Sequence, residues 1–382
     1  MYKAVIFTEL SELSSMRSEW NRLWETGESR TPYQSWEWNY SWAKSLGKNA
    51  GLYIVALREP DGELVCIAPF RAERIFGIIR RVTFNSQTAS IYPDFIIKVG
   101  AEEPVLNFLA DYLLNDTSVH VIDLIVAEPS PTLRYLNSAI EAAGWQKISA
   151  VDYTKRLLVE IGEFYEEYLG ALSSKMRQEI RAEARKLEKR YKVEFCVTET
   201  DSNLEGAMKI LFQLNALKWV GDPEKKHPER RECYRALHGL GTARIFTLTC
   251  DDIPVGALSA LLAGDIIFAE IAGFDFSIGK FDLGKVFYHH LFLWAQDNGF
   301  RRIDFSSGDE PYKFRYNPLI LGKWNIIAYN SLIPFFITEM NAKLSTRLKQ
   351  IRSGLINSRF YRLSGMHTYY RKLKNRVNKP TK

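Results

Sequence analysis

The chain has 382 residues, 46% hydrophobic and 25% charged, the composition of a folded protein too long for one hydrophobic core, so two domains are expected. Its net charge of +6 is unevenly spread: residues 331–382 carry 12 Lys and Arg against the single acid Glu339, whereas residues 1–330 carry 39 against 44 acids. A nucleic-acid binder holds its positive charge on the folded body, so this mildly acidic body argues against DNA as a partner. Cys66, Cys196, Cys233 and Cys250 form no CxxC pair, which argues against a zinc site or disulfide framework, and no metal is expected. No apolar run approaches the roughly 20 residues that span a bilayer, and the opening MYKAVIF lacks a signal-peptide core; a cytoplasmic location is the expectation.

Along the chain, Trp20, Trp24, Trp36, Trp38 and Trp42 read as core of a first domain. YIVALREPDGELVCIAPF at 53–70 alternates around a PDG turn and reads as a hairpin. A strand-like TASIYPDFIIKV at 88–99, a helix-like VLNFLADYLL at 105–114 and a strand VIDLIVAEP at 121–129 follow. The stretch LSSKMRQEIRAEARKLEKR spaces Leu172, Met176, Ile180, Ala184 and Leu187 as a helix capped by Ser173 or Ser174. Its basic residues read as a solvated face, or, near Lys175 and Arg177, as a seat for an anionic ligand.

The first series of elements then recurs. RIFTLTCDDIPVGALSALL at 244–262 is a second hairpin; IIFAEIAGFDF, the helix-like KVFYHHLFLWAQDNG and RIDFSSGDEP at 302–311 follow in the same order. Ile122-Asp123 and Glu128-Pro129 recur as Ile303-Asp304 and Glu310-Pro311 at nearly constant offsets. The pattern predicts an α/β protein with mixed sheets built by duplicating one unit. Its expected parts are a first domain at 1–150, a second at 151–330 and a basic helical tail at 331–382.

Several chemistries can be set aside. GKFDLGKV at 279–286 has the spacing of a phosphate loop, but Val286 stands where Ser or Thr must meet magnesium. A glycine-bearing helix start suited to a pyrophosphate is what remains. His289 and His290 are neighbours on a helix and point to different faces, unsuited to one metal, and there is no GxSxG elbow for a hydrolase.

WNRLWE, YQSWEWNYSWAK, LSSKMRQEIR, LNALKWVG, GKFDLGKVFYHHLFLWAQDNG and DFSSGDEPYKFRY, in this order over most of residues 1–330, resemble the CelD/BcsL-type acetyltransferases. These form a branch of the GNAT superfamily linked with cellulose and other exopolysaccharide synthesis. The branch in turn resembles the Fem aminoacyl transferases of peptidoglycan synthesis, which are tandem GNAT units.

The resemblance implies tandem GNAT-like domains, the second catalytic. It also implies acetyl-CoA or another acyl-CoA as co-substrate and a small-molecule or glycan acceptor, whose amine or hydroxyl attacks the thioester directly without a covalent enzyme intermediate. Pantetheine would lie along the strand holding Ala272 and Gly273, and the pyrophosphate on Gly279, Gly284 and Lys285. The helix start departs from the GNAT signature at Phe281 and Val286. Lys313, three residues before Tyr316, fits a Fem-like pattern and would stabilise the oxyanion or the acceptor; Asp309 or Glu270 would take the acceptor proton and Tyr312 would protonate the leaving group. Trp219, Lys175 and Arg177 are the expected substrate contacts. The alternatives are a Fem-like aminoacyl transferase using charged tRNA, or a non-catalytic scaffold of a polysaccharide synthase. For the tail the expectation is a cap on the fold or a basic amphipathic helix lying peripherally on anionic membrane at its inner face.

Overall fold

Apolar runs such as LYIVALR are buried along nearly their whole length, as in strands covered by helices on both faces. The computed structural model describes residues 2–28, 30–47, 51–87, 90–116, 118–199, 203–218, 228–279, 281–308 and 310–340. In chain order the elements are β1 (Lys3–Phe7), α1 (Leu10–Ser15), α2 (Arg17–Thr26), α3 (Trp36–Leu46), β2 (Leu52–Arg58), β3 (Leu64–Ile75), β4 (Ile79–Phe84), β5 (Ile96–Ile97), α4 (Glu102–Asn115), β6 (Val121–Ala127), α5 (Pro131–Ala142) and β7 (Gln146–Glu160). They continue with α6 (Tyr165–Ala171), α7 (Ser174–Glu188), β8 (Val193–Val197), α8 (Leu204–Lys218), α9 (Pro228–His238), β9 (Ala243–Cys250), β10 (Ile253–Ala263), β11 (Ile266–Phe274), α10 (Leu283–Asp297), β12 (Arg302–Ser307), α11 (Pro311–Phe314) and β13 (Leu319–Tyr329). A last helix, α12, occupies 332–340, and the remainder of the expected tail, 341–382, lies outside the described residues.

Local chemistry sets several of these boundaries. Ser173 caps α7 by accepting from Met176 N, and Ser130 caps α5, whose first residue is Pro131. The second hairpin turns on Asp251 and Asp252, both at positive φ, as a two-residue turn between right-twisted strands requires. One expectation fails: among the described residues of the stretch 88–99 only Ile96–Ile97 is strand, and the strand that follows the first hairpin is β4, formed by IRRVTF. Pro93 has no N–H to give a ladder, whereas the turn at Phe76-Gly77, both at positive φ, lets β4 fold back on β3.

All strands join one sheet in the order β1-β2-β3-β4-β6-β13-β7-β12-β11-β10-β9-β8, with β5 on β3. This order is a palindrome under the correspondence of β1, β2, β3, β4, β6 and β7 with β8, β9, β10, β11, β12 and β13. In each unit the fourth and fifth strands are parallel, β4 with β6 and β11 with β12. The last strands are exchanged: β7 pairs with β12 of the second unit and β13 with β6 of the first. The first expected boundary, at residue 150, therefore falls within β7. The helices cover the two faces in separate clusters; α4 and α5 pack on the first unit, α6, α7 and α10 on the second. A further cluster joins Tyr33, Trp38 and Tyr92 of the first unit to Phe212, Tyr234 and Phe268 of the second.

Candidate active site at the strand splay

β11 and β12 pair at only three register points, from Ile266–Arg302 to Phe268–Asp304. Beyond them β11 follows β10 as far as Phe274, while β12 turns to β7, setting Ser307 opposite Arg156. The two strands diverge, and the backbone of Ala269–Phe274 loses its β12 neighbour. At the vertex Ser306, at φ 63°, donates its hydroxyl to the Ala269 carbonyl and its N–H to Asp304 Oδ1 at 2.7 Å. A non-glycine residue in the left-handed region is uncommon, and here these two bonds hold it.

Asp304 is fully buried, with Oδ2 2.5 Å from Arg156 Nε and Oδ1 accepting from Tyr92 OH at 2.6 Å. Arg156 also donates to the Glu128 carbonyl, fastening the vertex to the first unit. This ion pair is a fixture of the seam: removing either partner would leave a buried charge uncompensated.

Just past the vertex two buried lysines reach the same residue. Lys313, on α11, donates to the Ser307 carbonyl at 3.1 Å and pairs with Glu310 at 2.9 Å. Lys323, on β13, lies 3.4 Å from Ser307 Oγ. Gly308 between them has φ 125°, and a Cβ there would fall 2.4 Å from Glu310 Oε2, so the loop closes tightly around the Lys313–Glu310 pair. Burial pushes the Lys323 ammonium down to about 8; Asp304 opposes this and Arg156 adds to it. Tyr312 is half exposed and accepts a hydrogen bond from Tyr288, while burial and Glu310 raise its pKa.

Ser307 and Lys323 line a cleft of about 480 Å³ between the units, together with Arg71, Glu73, Arg81, Asn85, Asp123, Arg230 and Asn325. Asn85 Nδ2 donates to the Asn39 carbonyl and the Asn325 amide bonds Asp123. Their Oδ1 atoms are buried with no hydrogen-bond partner among the described residues. Both are acceptors suited to hydroxyl or amine donors of a ligand. β4 and β6 likewise pair only at Arg81–Val121 and Val82–Ile122, and beyond that point Thr83, Asn85, Asp123 and Ile125 line this same cleft; a second cleft, of about 980 Å³, is lined by residues that include Tyr92, Glu128, Arg156, Phe268 and Arg302. On the seam Lys323 stands opposite Thr154 of β7, its counterpart in the first unit.

The other expected residues divide. The Glu270 side chain is fully buried and its carboxylate accepts from Tyr33 at 2.6 Å, Tyr234 at 2.7 Å and Arg230 at 2.8 Å; it holds Arg230 at the cleft wall. Ala272 and Gly273 lie on the diverging part of β11, but the Ala272 carbonyl is taken by Asn215, and a Cβ on Gly273 would lie 2.2 Å from Asn215 N. Gly273 is thus required by the packing of α8. Arg177 caps α6 through the Leu169 and Gly170 carbonyls, and Lys175 is exposed on the same helix, α7. Asp309 and Trp219 lie outside the described residues. Lys323, Asn85 and Asn325 were not among the expected site residues. No motif marks them, and only the repeat, by aligning β13 with β7, could have drawn attention to the seam.

The residues at the start of α10 do not fit a pyrophosphate. Asp282 caps the helix by accepting from Lys285 N, and its own N–H donates to Glu183 at 3.0 Å. Lys285 Nζ pairs with Glu179 at 3.1 Å and with Asp282, and Arg315 with Glu179. Three carboxylates thus surround the amides and cations that a diphosphate would need. Gly279, at φ 116°, serves the turn, and a Cβ on Gly284 would meet only Asp282 Oδ1 at 3.7 Å.

Residues 174–314 match the family described as acetyltransferase (GNAT) domain. Comparison with curated proteins finds no match. Among solved structures the fold is similar to that of FemX, with a TM-score of 0.59 at 12% identity over 85% of this chain and 96% of that one. It is also similar to L-PGS from Bacillus licheniformis, with a TM-score of 0.54 at 13% identity over 87% and 95%. A conserved protein of unknown function from Bacteroides thetaiotaomicron follows at 0.53 and 11% over 86% and 100%. The architecture is a tandem of GNAT-like units, and the domain over 174–314 is that of an acyltransferase.

Proposed function

We propose that this acyltransferase moves an acyl group from an activated donor onto an amine or hydroxyl of a glycan precursor in exopolysaccharide or cell-envelope synthesis, as in the CelD/BcsL-type enzymes. The observation that carries the reading is the convergence of Lys313 and Lys323 on Ser307, at the point where β11 and β12 part. The acceptor would enter the cleft and meet the unpartnered oxygens of Asn85 and Asn325. Lys323, whose neutral form is accessible near pH 8, takes the proton as the acceptor atom bonds to the acyl carbon. Lys313 stabilises the oxyanion; as the intermediate collapses, the bond to the leaving group breaks and Tyr312 supplies it a proton.

GNAT domains use acyl-CoA as co-substrate, and the gap along β11 suits an extended arm. A second reading takes an aminoacyl ester such as charged tRNA for donor, which accords with the likeness to FemX. With acetyl-CoA at about 100 times its dissociation constant, binding would raise stability by about 2.7 kcal/mol. A thermal shift therefore separates the donors: a rise selects acyl-CoA, and its absence together with transfer from aminoacyl-tRNA selects the ester. With either donor, Lys313→Met should lower turnover on the order of 10²-fold or more, and Lys323→Met on the order of 10²–10⁴-fold. The parent rate should rise with pH through a midpoint near 8. Parental turnover in both variants would place the chemistry elsewhere.

A further inference from the structure

The face of the sheet that floors the cleft does not end there. Arg81, Asp123 and Asn325 line the cleft, and two residues farther along the same strands, hence on the same face, stand Ile79, Val121 and Ile327. These join Ile75 and Tyr329 in a small apolar cluster closed by Phe335 and Ile337 of α12, with the Tyr329 and Phe335 rings 5.4 Å apart. The outer side of α12 is apolar too: Ile333 and Met340 are each 71% exposed and Phe336 55%. At the tip of the β3–β4 hairpin, continuous with this cluster through Ile75 and Ile79, Phe76 and Ile78 are 52% and 62% exposed. Phe76 sits at φ 54°, a turn position that Gly or Asn fills more readily.

The surroundings are basic. Lys147 is exposed beside this face, 5.6 Å over the Phe335 ring, and Arg74 is exposed near the hairpin tip on the other face of the sheet, paired across the strands with Arg80. The acids Glu73 and Asp123 are engaged by Arg81, and Glu339 also has a partner. The sequence that follows α12, residues 341–382, contains 12 Lys and Arg and no acid. Exposed aromatic and aliphatic side chains ringed by cations complement an anionic bilayer, in which the apolar groups enter the headgroup boundary and the cations meet phosphates.

We propose that the β3–β4 hairpin tip and α12 form a docking surface for an anionic lipid bilayer. The surface stands apart from the lysines at the splay, so it holds whichever donor the enzyme uses. It sets the cleft mouth against the bilayer, where an acceptor carried on a lipid could enter.

The full chain is to be sedimented with vesicles of phosphatidylglycerol and phosphatidylcholine, and with phosphatidylcholine alone. Binding to the anionic vesicles alone, weakened by salt, is expected. Phe76→Ser with Ile78→Ser should lower partitioning by about tenfold, because both side chains leave the bilayer, and Ile333→Ser with Phe336→Ser should do the same. Melting temperature and turnover on a soluble acceptor should be unchanged in both. Undiminished binding of these variants would assign the interaction to the basic sequence beyond 340 and overturn the proposal. So would equal binding to neutral vesicles, or a vesicle-free dimer that both variants dissolve.

Discussion

A lysine amid apolar and aromatic neighbours is a liability to the fold that carries it. The Lys323 pKa falls from 10.5 to about 8, burial being the main cause. Below about pH 8 the residue is charged in both folded and unfolded chains, and its burial costs up to about 3 kcal/mol at roughly 1.4 kcal/mol per unit. Between about 8 and 10.5 the unfolded chain holds the proton more tightly, so this residue's contribution to stability rises with pH across that window. Lys323→Met should therefore be more stable than its parent at pH 7, by about 1–3 kcal/mol, and the gap should close toward pH 10. Urea unfolding at a series of pH values measures this; a variant less stable than its parent at pH 7 would show that the amine is well satisfied where it lies. As a candidate, Lys313 was legible only through the Fem-like pattern it forms with Tyr316, three residues on. Lys323 was not, because a lysine within an apolar strand looks like any outward-facing cation until the neighbouring strand is known.

Among the elements, β11 and α10 carry glycines that look alike in sequence and differ in what surrounds them. A Cβ on Gly273 would enter the backbone of α8, 2.2 Å from Asn215 N. Gly273→Ala should cost about 3 kcal/mol, because neither main chain can yield. Gly284 lies in the first turn of α10 with room for a methyl group, and Gly284→Ala should stabilise by about 0.5–1 kcal/mol. Denaturant midpoints decide both, and a destabilised Gly284→Ala would mean that the helix start needs a bare backbone after all. The helical spacing from Leu172 to Leu187 was readable and α7 buries Met176, Ile180, Ala184 and Leu187. The identity of the strand after the first hairpin was not: the 88–99 stretch is the more apolar of the two, and the two arginines of IRRVTF disguise a strand that is buried at Ile79, Val82, Thr83 and Phe84.

At the scale of the molecule the repeat was legible from element order, while the exchange of last strands was not, since no local signal says which edge a strand will join. A chain stopped after Pro318 lacks β13, the partner of both β6 and β7. It should lose the cooperative unfolding of the first unit as well as the second, followed by the tryptophans of α2 and α3; a chain stopped after Asn330 should unfold like the parent. A sharp first-unit transition in the shorter chain would contradict this. The same exchange bears on how the protein is born. Of the described strands, β13, at the middle of the sheet, leaves the ribosome last, about 200 residues after β6. At roughly 5–20 residues per second, β6 waits about 10 to 40 seconds for its neighbour. Through that interval a nascent chain exposes an open, apolar edge that pairs readily with other chains. The yield of native protein should then depend on translation speed and on whatever shields that edge until synthesis is complete.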